Sequence, residues 1–168
     1  MRASLTETDV PKGDILFQEG EPGDRMYVIV DGKVKLGQTS NDGRETLLGV
    51  LGPGEMFGEL SLFDPGPRTL TASAVADTTL QELSHTELVT WLQAHPGMSK
   101  FLRGALARRL RRTNENLADL VFADVPGRVA KALLDLSTRF GQKTDEGIRV
   151  AHDLTQEELA QLVGASRE

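Results

Sequence analysis

Short apolar runs broken by turn residues fill the first half of the chain. Residues 26–30 and 33–38 flank Asp31-Gly32, a pair suited to the positive φ of a two-residue hairpin, and Asn41-Asp42-Gly43 separates the second run from residues 44–51. The pattern predicts two consecutive hairpins. Further strands are expected at residues 15–18, 70–75 and 79–83, and most of the glycines and prolines lie before residue 70. Many short strands with glycine turns predict a β sandwich or jelly roll.

After Leu83 the period becomes that of a helix. Ser84 and Glu87 form a capping box for a short helix ending near His95-Pro96. A longer helix over residues 97–122 follows, because Leu102, Leu106, Leu110, Leu117 and Val121 fall on one stripe. At ~1.5 Å per residue it would be ~38 Å long, more than a small β domain needs. The economical partner for the surplus stripe is a second copy in a homodimer; the alternative is the chain's own helices. Asp124 and Pro126 open a further helix through Val129, Leu133, Leu134 and Leu136 that stops at Gly141, read as a glycine C-terminal signal. Residues 142–147 read as a polar turn and 148–151 as a short strand. Thr155 and Glu158 form a second capping box, opening the helix TQEELAQLVG. The fold class is α+β.

Composition narrows the function. The 168 residues include no Cys, which removes disulfides, thiolate zinc sites, iron–sulfur clusters and cysteine nucleophiles. There is no run of ~18 apolar residues and no signal-peptide core in the first residues, so a cytoplasmic protein with no membrane role is expected. With 19 basic against 25 acidic residues the net charge is −6, and the surface as a whole does not attract nucleic acid. One stretch differs: Lys100, Arg103, Arg108, Arg109, Arg111 and Arg112 have no acid among them. It reads either as a local field that holds an anion or as a solvated helix face.

Two segments carry chemistry. In FGELSLFDPGPRT, residues 57–69, Gly58 permits close backbone approach, as does the nearby Gly54. Gly58-Glu59-Leu60 can begin a helical turn with free N–H groups, and Arg68 supplies a forked cation. Those parts suit a small phosphate, and Glu59 beside them suits a ligand that also offers hydroxyl donors, as a sugar phosphate does. The competing reading is that Glu59 and Arg68 pair with each other across a loop. The glycines do not form a dinucleotide-binding G-x-G-x-x-G, since no strand–turn–helix unit surrounds them. In LTQEELAQLVGASRE, Ala160 and Gly164 are small residues placed for a close helix crossing and Ser166 can cap a following helix, which reads as the start of a helix-turn-helix or as an ordinary helical hairpin. His85, His95 and His152 are isolated, with no metal-ligand spacing, and are read as surface or cap residues; no metal is expected. Trp91 with Leu88 and Leu92 reads as core, and Phe17 and Phe63 as packing.

FGELSLFDPGPRT, then the helix ending LARRLRRTNENLADL, then DVPGRVAKALLDL and HDLTQEELAQLVGASRE resemble the Crp/Fnr family of bacterial transcription regulators, closest to its actinobacterial cyclic AMP-sensing branch. The likeness covers nearly the whole chain. It implies a cyclic-nucleotide-binding jelly roll over residues 1–96, a dimerisation helix over 97–123 and a partial winged helix-turn-helix over 124–168. It further implies a cAMP-responsive homodimer in which ligand binding repositions the helix-turn-helix on DNA, with RNA polymerase as a further partner and no catalytic residues. By resemblance Glu59 accepts the ribose hydroxyl, Arg68 pairs with the cyclic phosphate, and Thr69 with backbone N–H groups near Gly58 and Leu60 completes the cradle. Thr113 meets the adenine amino group, Asn114 reaches the nucleotide of the other subunit, and Arg109 approaches Glu59. Thr155, Gln156 and Ser166 touch DNA phosphates, Arg167 is bidentate to a guanine and Glu168 accepts from a cytosine, pairings that major-groove geometry allows.

Departures from the family pattern set further expectations. The loop over residues 64–67 is one residue shorter than in some members. The family's N-terminal helix is missing or reduced to MRASLTET, and the chain stops just inside the reading helix, so a fragment unable to read DNA specifically is expected. The rival readings are a regulator of the same family that senses another ligand or none, and a cupin-like jelly-roll enzyme. The latter needs clustered His and carboxylate ligands on its strands, and the β half has no His.

Overall fold

Strands from the first half of the chain bury side chains in a shared interior. The computed structural model describes residues 6–40, 42–43 and 45–165. Its β strands are β1 (Thr6–Val10), β2 (Ile15–Phe17), β3 (Arg25–Asp31), β4 (Val34–Thr39), β5 (Glu45–Leu51) and β6 (Met56–Phe57), followed after the short helix α1 (Leu60–Phe63) by β7 (Thr71–Ala74) and β8 (Thr78–Ser84). Two four-stranded antiparallel sheets result, ordered β1-β8-β3-β6 and β2-β7-β4-β5. Phe17, Ile29, Val34, Leu36, Leu51, Phe57, Ala72 and Leu80 meet between them, a jelly-roll core fed by both layers.

One hairpin expectation is corrected. Gly32 has the positive φ expected of it, +86°, yet β3 and β4 do not pair. β3 lies against β8 and β4 against β5 and β7, so the Asp31-Gly32 turn carries the chain from one sheet to the other. Turn chemistry fixes the local bend, whereas the sandwich decides the partner. The β4–β5 hairpin forms as expected, with β1 and β6 as additional strands.

The helices follow their caps. The Ser84–Glu87 capping box opens α2 (His85–Ala94), and Pro96 starts α3 (Pro96–Phe122). Leu102 is buried where α3 leaves the β domain, but Leu110, Leu117 and Val121 are 62%, 61% and 67% exposed, so the chain's own helices leave the far part of the stripe uncovered. Asp124 accepts from the Gly127 N–H and opens α4 (Val125–Phe140). Gly141 ends α4 with φ −77°, so it is not a left-handed stop; a Cβ there would lie 2.1 Å from the Ser137 carbonyl and 2.7 Å from Ile148 Cγ2. The expected polar turn and single strand are instead a hairpin, β9 (Gly141–Thr144) with β10 (Gly147–Val150). The Thr155–Glu158 capping box opens α5 (Gln156–Leu162) as expected.

The C-terminal unit is docked on the second sheet. Leu47, Val50 and Val75 pack with Leu154, Phe140, Leu159 and Leu162. Around this seam Lys33 pairs with Asp153 and Lys35 with Glu158, while Arg139 binds Glu55 and the Val50 carbonyl. Arg139 also pairs with Asp135, and Asp135 with Arg112 of α3. Burial alone would raise the Glu158 carboxyl, but the Lys35 hydrogen bond and the Thr155 N–H outweigh it and hold it below its ordinary value of 4.5. Docking therefore gains stability from Glu158 that is complete above pH ~4.5 and lost as pH falls through the lowered value. Lys35→Ala is expected to weaken docking by about 0.5–1 kcal/mol at pH 7, since the pair is partly exposed. Faster amide exchange in α5 with unchanged exchange in β3 and β8 is the readout, and acidification below pH ~4.5 should produce the same loss in the unsubstituted protein.

Candidate functional site

The loop after β6 turns sharply because it begins with glycine. Gly58 has φ +74°, and a Cβ on it would sit 2.8 Å from Arg68 Nη1. Only a residue without a side chain lets the guanidinium lie that close. The expected helical turn follows as α1. The loop then returns, and the Arg68 backbone is pinned between the Glu21 carbonyl, which its N–H reaches at 2.7 Å, and the Gly20 N–H at 2.8 Å. Its side chain is 5% exposed and lies over the Phe17 ring, 4.2 Å from the centroid. Nη1 donates to the Gly58 carbonyl (2.9 Å) and Ser61 Oγ (3.0 Å), and Nη2 donates to the Arg25 carbonyl (2.9 Å). Nε has no partner. Burial lowers the pKa of Arg68, but a guanidinium stays charged.

Glu59 is the counterpart. It is 1% exposed, and its Oε1 accepts from Arg109 Nη1 of α3 at 2.9 Å while Oε2 is buried without a partner. Glu59 and Arg68 therefore do not pair with each other, contrary to the competing sequence reading. Both line one cleft with Gly58, Leu60, Thr69 and Arg109. An unpartnered buried acceptor and an unpartnered buried donor on the same cleft match a ligand with both a hydroxyl and an anionic group, and the residues fit a sugar phosphate. Thr113 and Asn114 do not line the cleft; both are exposed, with Thr113 one helical turn beyond Arg109 and its hydroxyl donating to the Arg109 carbonyl at 3.1 Å. The basic stretch is neither simple alternative: Arg109 and Arg112 tie α3 to the β domain and to α4.

In the second motif Thr155 is the N-cap of α5 and Gln156 its first residue, both exposed. Ser166, Arg167 and Glu168 lie outside the described residues. Gly164, at φ +62°, ends α5 with the Ala165 N–H donating to the Ala160 carbonyl, and a Cβ on it would meet Leu120 Cδ2 of α3 at 2.7 Å. Arg128 holds this end: it donates to the Val163 and Gly164 carbonyls and to the Ala123 carbonyl at the end of α3.

Sequence reasoning missed several contributors. Phe17 is core, as expected, but it also lies under Arg68 and lines the cleft, and Phe63 is half exposed rather than packed. Leu88 is buried and Trp91 and Leu92 half-buried, with the Trp91 ring 5.5 Å from His95. The histidines bond to backbone groups: His85 to the Leu62 carbonyl, His95 to the Trp91 carbonyl and His152 to the Leu154 N–H. Ser61 lies inside the motif, two residues past Glu59, so its place was readable; the Arg25 carbonyl left no sequence signal.

Two domain families match the chain. Residues 7–95 match the cyclic nucleotide-binding domain family and residues 127–168 the Crp-like helix-turn-helix domain family. The chain is 57% identical, over 98% of its length and 73% of the relative, to a CRP-like cAMP-activated global transcriptional regulator of Mycobacterium tuberculosis. It is 39% identical, over 94% of its length and 70% of the relative, to the cyclic AMP receptor protein of Thermus thermophilus. Among solved structures, the c-di-GMP responsive global regulator CLP of Xanthomonas campestris superposes with a TM-score of 0.79 at 29% identity, covering 98% of this chain and 82% of that one.

Removing the Arg109 side chain should leave Glu59 buried and uncompensated. Arg109→Ala is expected to cost about 1–3 kcal/mol in urea unfolding, and Glu59→Gln in the same background should recover most of it. A fully stable Arg109→Ala protein would contradict the pairing.

Proposed function

We propose that this chain, which belongs to the Crp/Fnr family of transcription regulators, is a cAMP-responsive regulator whose ligand state sets the placement of its DNA-reading end. The observation that carries the reading is the cleft shared by Glu59 and Arg68, each keeping one buried polar atom unpartnered. Arg68 would hold the cyclic phosphate with Thr69 and the backbone at Gly58 and Leu60, and Glu59 would take the ribose hydroxyl. Thr113 would meet the adenine. Asn114 would reach the ligand of a second subunit, which is consistent with both being exposed on a single chain. The chain would work as three units, residues 1–96, 97–123 and 124–168, with Thr155, Gln156, Ser166, Arg167 and Glu168 on DNA.

The exposed Leu110, Leu117 and Val121 support a homodimer through α3. Ligand that engages the free oxygen of Glu59 shares the carboxylate that Arg109 holds by the other, so binding and the position of α3 are linked. A ligand shifts such an equilibrium only through its differential affinity for the two arrangements. The role is regulatory rather than enzymatic, and the working compartment is the cytoplasm, with RNA polymerase as the further partner; no helix among the described residues is long and apolar enough to cross a membrane.

Calorimetric titration should give micromolar or tighter cAMP binding that Arg68→Leu abolishes, and full affinity in that variant would refute the assignment. A competition series of cAMP, cGMP and c-di-GMP addresses the second reading, which the c-di-GMP responsive structural relative motivates. In sedimentation, Leu117→Asp is expected to shift dimer to monomer at micromolar concentration.

A further inference from the structure

Arg68 is nearly sealed from water, so acceptors on the protein must fix its direction. Two of the three are backbone carbonyls, of Gly58 and Arg25, and the third is the Ser61 hydroxyl. Ser61 is itself buried, and its Oγ also reaches the Gly58 carbonyl at 3.4 Å. It is the only side chain hydrogen-bonded to the guanidinium among the described residues.

The space Ser61 occupies comes from a residue far away in sequence. The loop between β2 and β3 passes behind α1, tied to the returning loop by the Pro22–Pro67 bridge. Within it, a Cβ on Gly23 would lie 2.2 Å from Ser61 Oγ, 2.5 Å from Ser61 Cβ and 3.1 Å from Arg68 Nε. Gly23 does not have a positive φ, so alanine would suit its backbone; the obstacle is the contact alone.

We infer that Ser61 is a positioning residue for ligand binding, holding the Arg68 guanidinium in its phosphate-ready orientation, and that Gly23 is its obligatory partner because it leaves room for the Ser61 side chain. This rests on the reading of Arg68 as the phosphate-binding group. The hydroxyl fixes Nη1 at one edge of the guanidinium, and Nε remains unpartnered. Without the hydroxyl, Nη1 keeps the Gly58 carbonyl alone and the plane loses one of three anchors. The ligand then has to order the cation as it binds, which lowers affinity.

The test combines cAMP titration of the full chain with ¹H–¹⁵N spectra of the Arg68 Nε–H in ligand-free protein. Ser61→Ala is expected to move or broaden that resonance before any ligand is added and to weaken cAMP binding about five- to tenfold, the scale of one hydrogen bond to a charged group. Gly23→Ala is expected to weaken binding more than about tenfold, because its Cβ displaces the serine from Arg68. Adding Ser61→Gly to Gly23→Ala should recover most of the binding lost by Gly23→Ala, since only the 3.1 Å approach of the added Cβ to Arg68 Nε then remains. Adding Ser61→Ala should not, because the Cβ remains in the way. Unchanged affinity and an unmoved Nε–H in Ser61→Ala, or wild-type binding by Gly23→Ala, would overturn the inference. Absence of cAMP binding by the unsubstituted chain would instead overturn the reading of the site, while the ligand-free Nε–H resonance still decides whether Ser61 positions Arg68.

Discussion

A carboxylate withdrawn from water needs a cation, and the one that reaches Glu59 is carried on the long helix. The contact between Glu59 and Arg109 is thus more than a local ion pair. It fixes where α3 crosses the mouth of the cleft, and from that crossing α3 runs on to meet Asp135 through Arg112. Asp135 in turn shares Arg139 with Glu55. The β domain is therefore gripped at two points by cations from the helical half, one at the cleft and one at the start of β6. Arg112, half-buried, has a lowered pKa through burial and the nearby charge of Arg139, with Asp135 the largest opposing influence.

The two buried ionic residues of the cleft are stabilised in different ways. Arg68 has no carboxylate partner among the described residues; its charge is spread over two carbonyls, a hydroxyl and the face of Phe17, each a weak acceptor for a full positive charge. Glu59 has a full counter-charge but only on one oxygen. The site is thus underserved on both sides, which is how a binding site differs from a structural salt bridge. An Arg68–Glu59 pair would have satisfied both groups and left little for a ligand to gain.

The sequence made the elements and the site motif readable because both are local. Capping boxes at Ser84 and Thr155, the α3 stripe and the segment from Gly58 to Thr69 each depend on residues within a few positions of one another. The pairing of β4 with β5 was readable, but the partners of β3 and the change of sheet between β3 and β4 were not, since the turn at Gly32 is compatible with a hairpin and with a crossover between sheets. β6 is two residues long, and β1 and β9 are too polar to show alternation. Docking was equally hidden: Lys33 and Asp153 are 120 positions apart and Lys35 and Glu158 are 123, and no periodicity links them. Thr113 and Asn114 were placed by resemblance, and on a single chain they face solvent.

Arg128 joins the end of the long helix to the end of α5 through carbonyls alone. Because carbonyl dipoles do not titrate, this joint is indifferent to the acidity that loosens Glu158. The end of α5 is thereby fastened to the far end of α3, 13 residues past Arg109 and ~20 Å from it at ~1.5 Å per residue. A tilt of about 10° about the Glu59–Arg109 contact carries that end by roughly 3–4 Å. The joint would thus act as a rigid coupling on a lever, turning a rotation beside Glu59 into a displacement comparable to the spacing between successive bases.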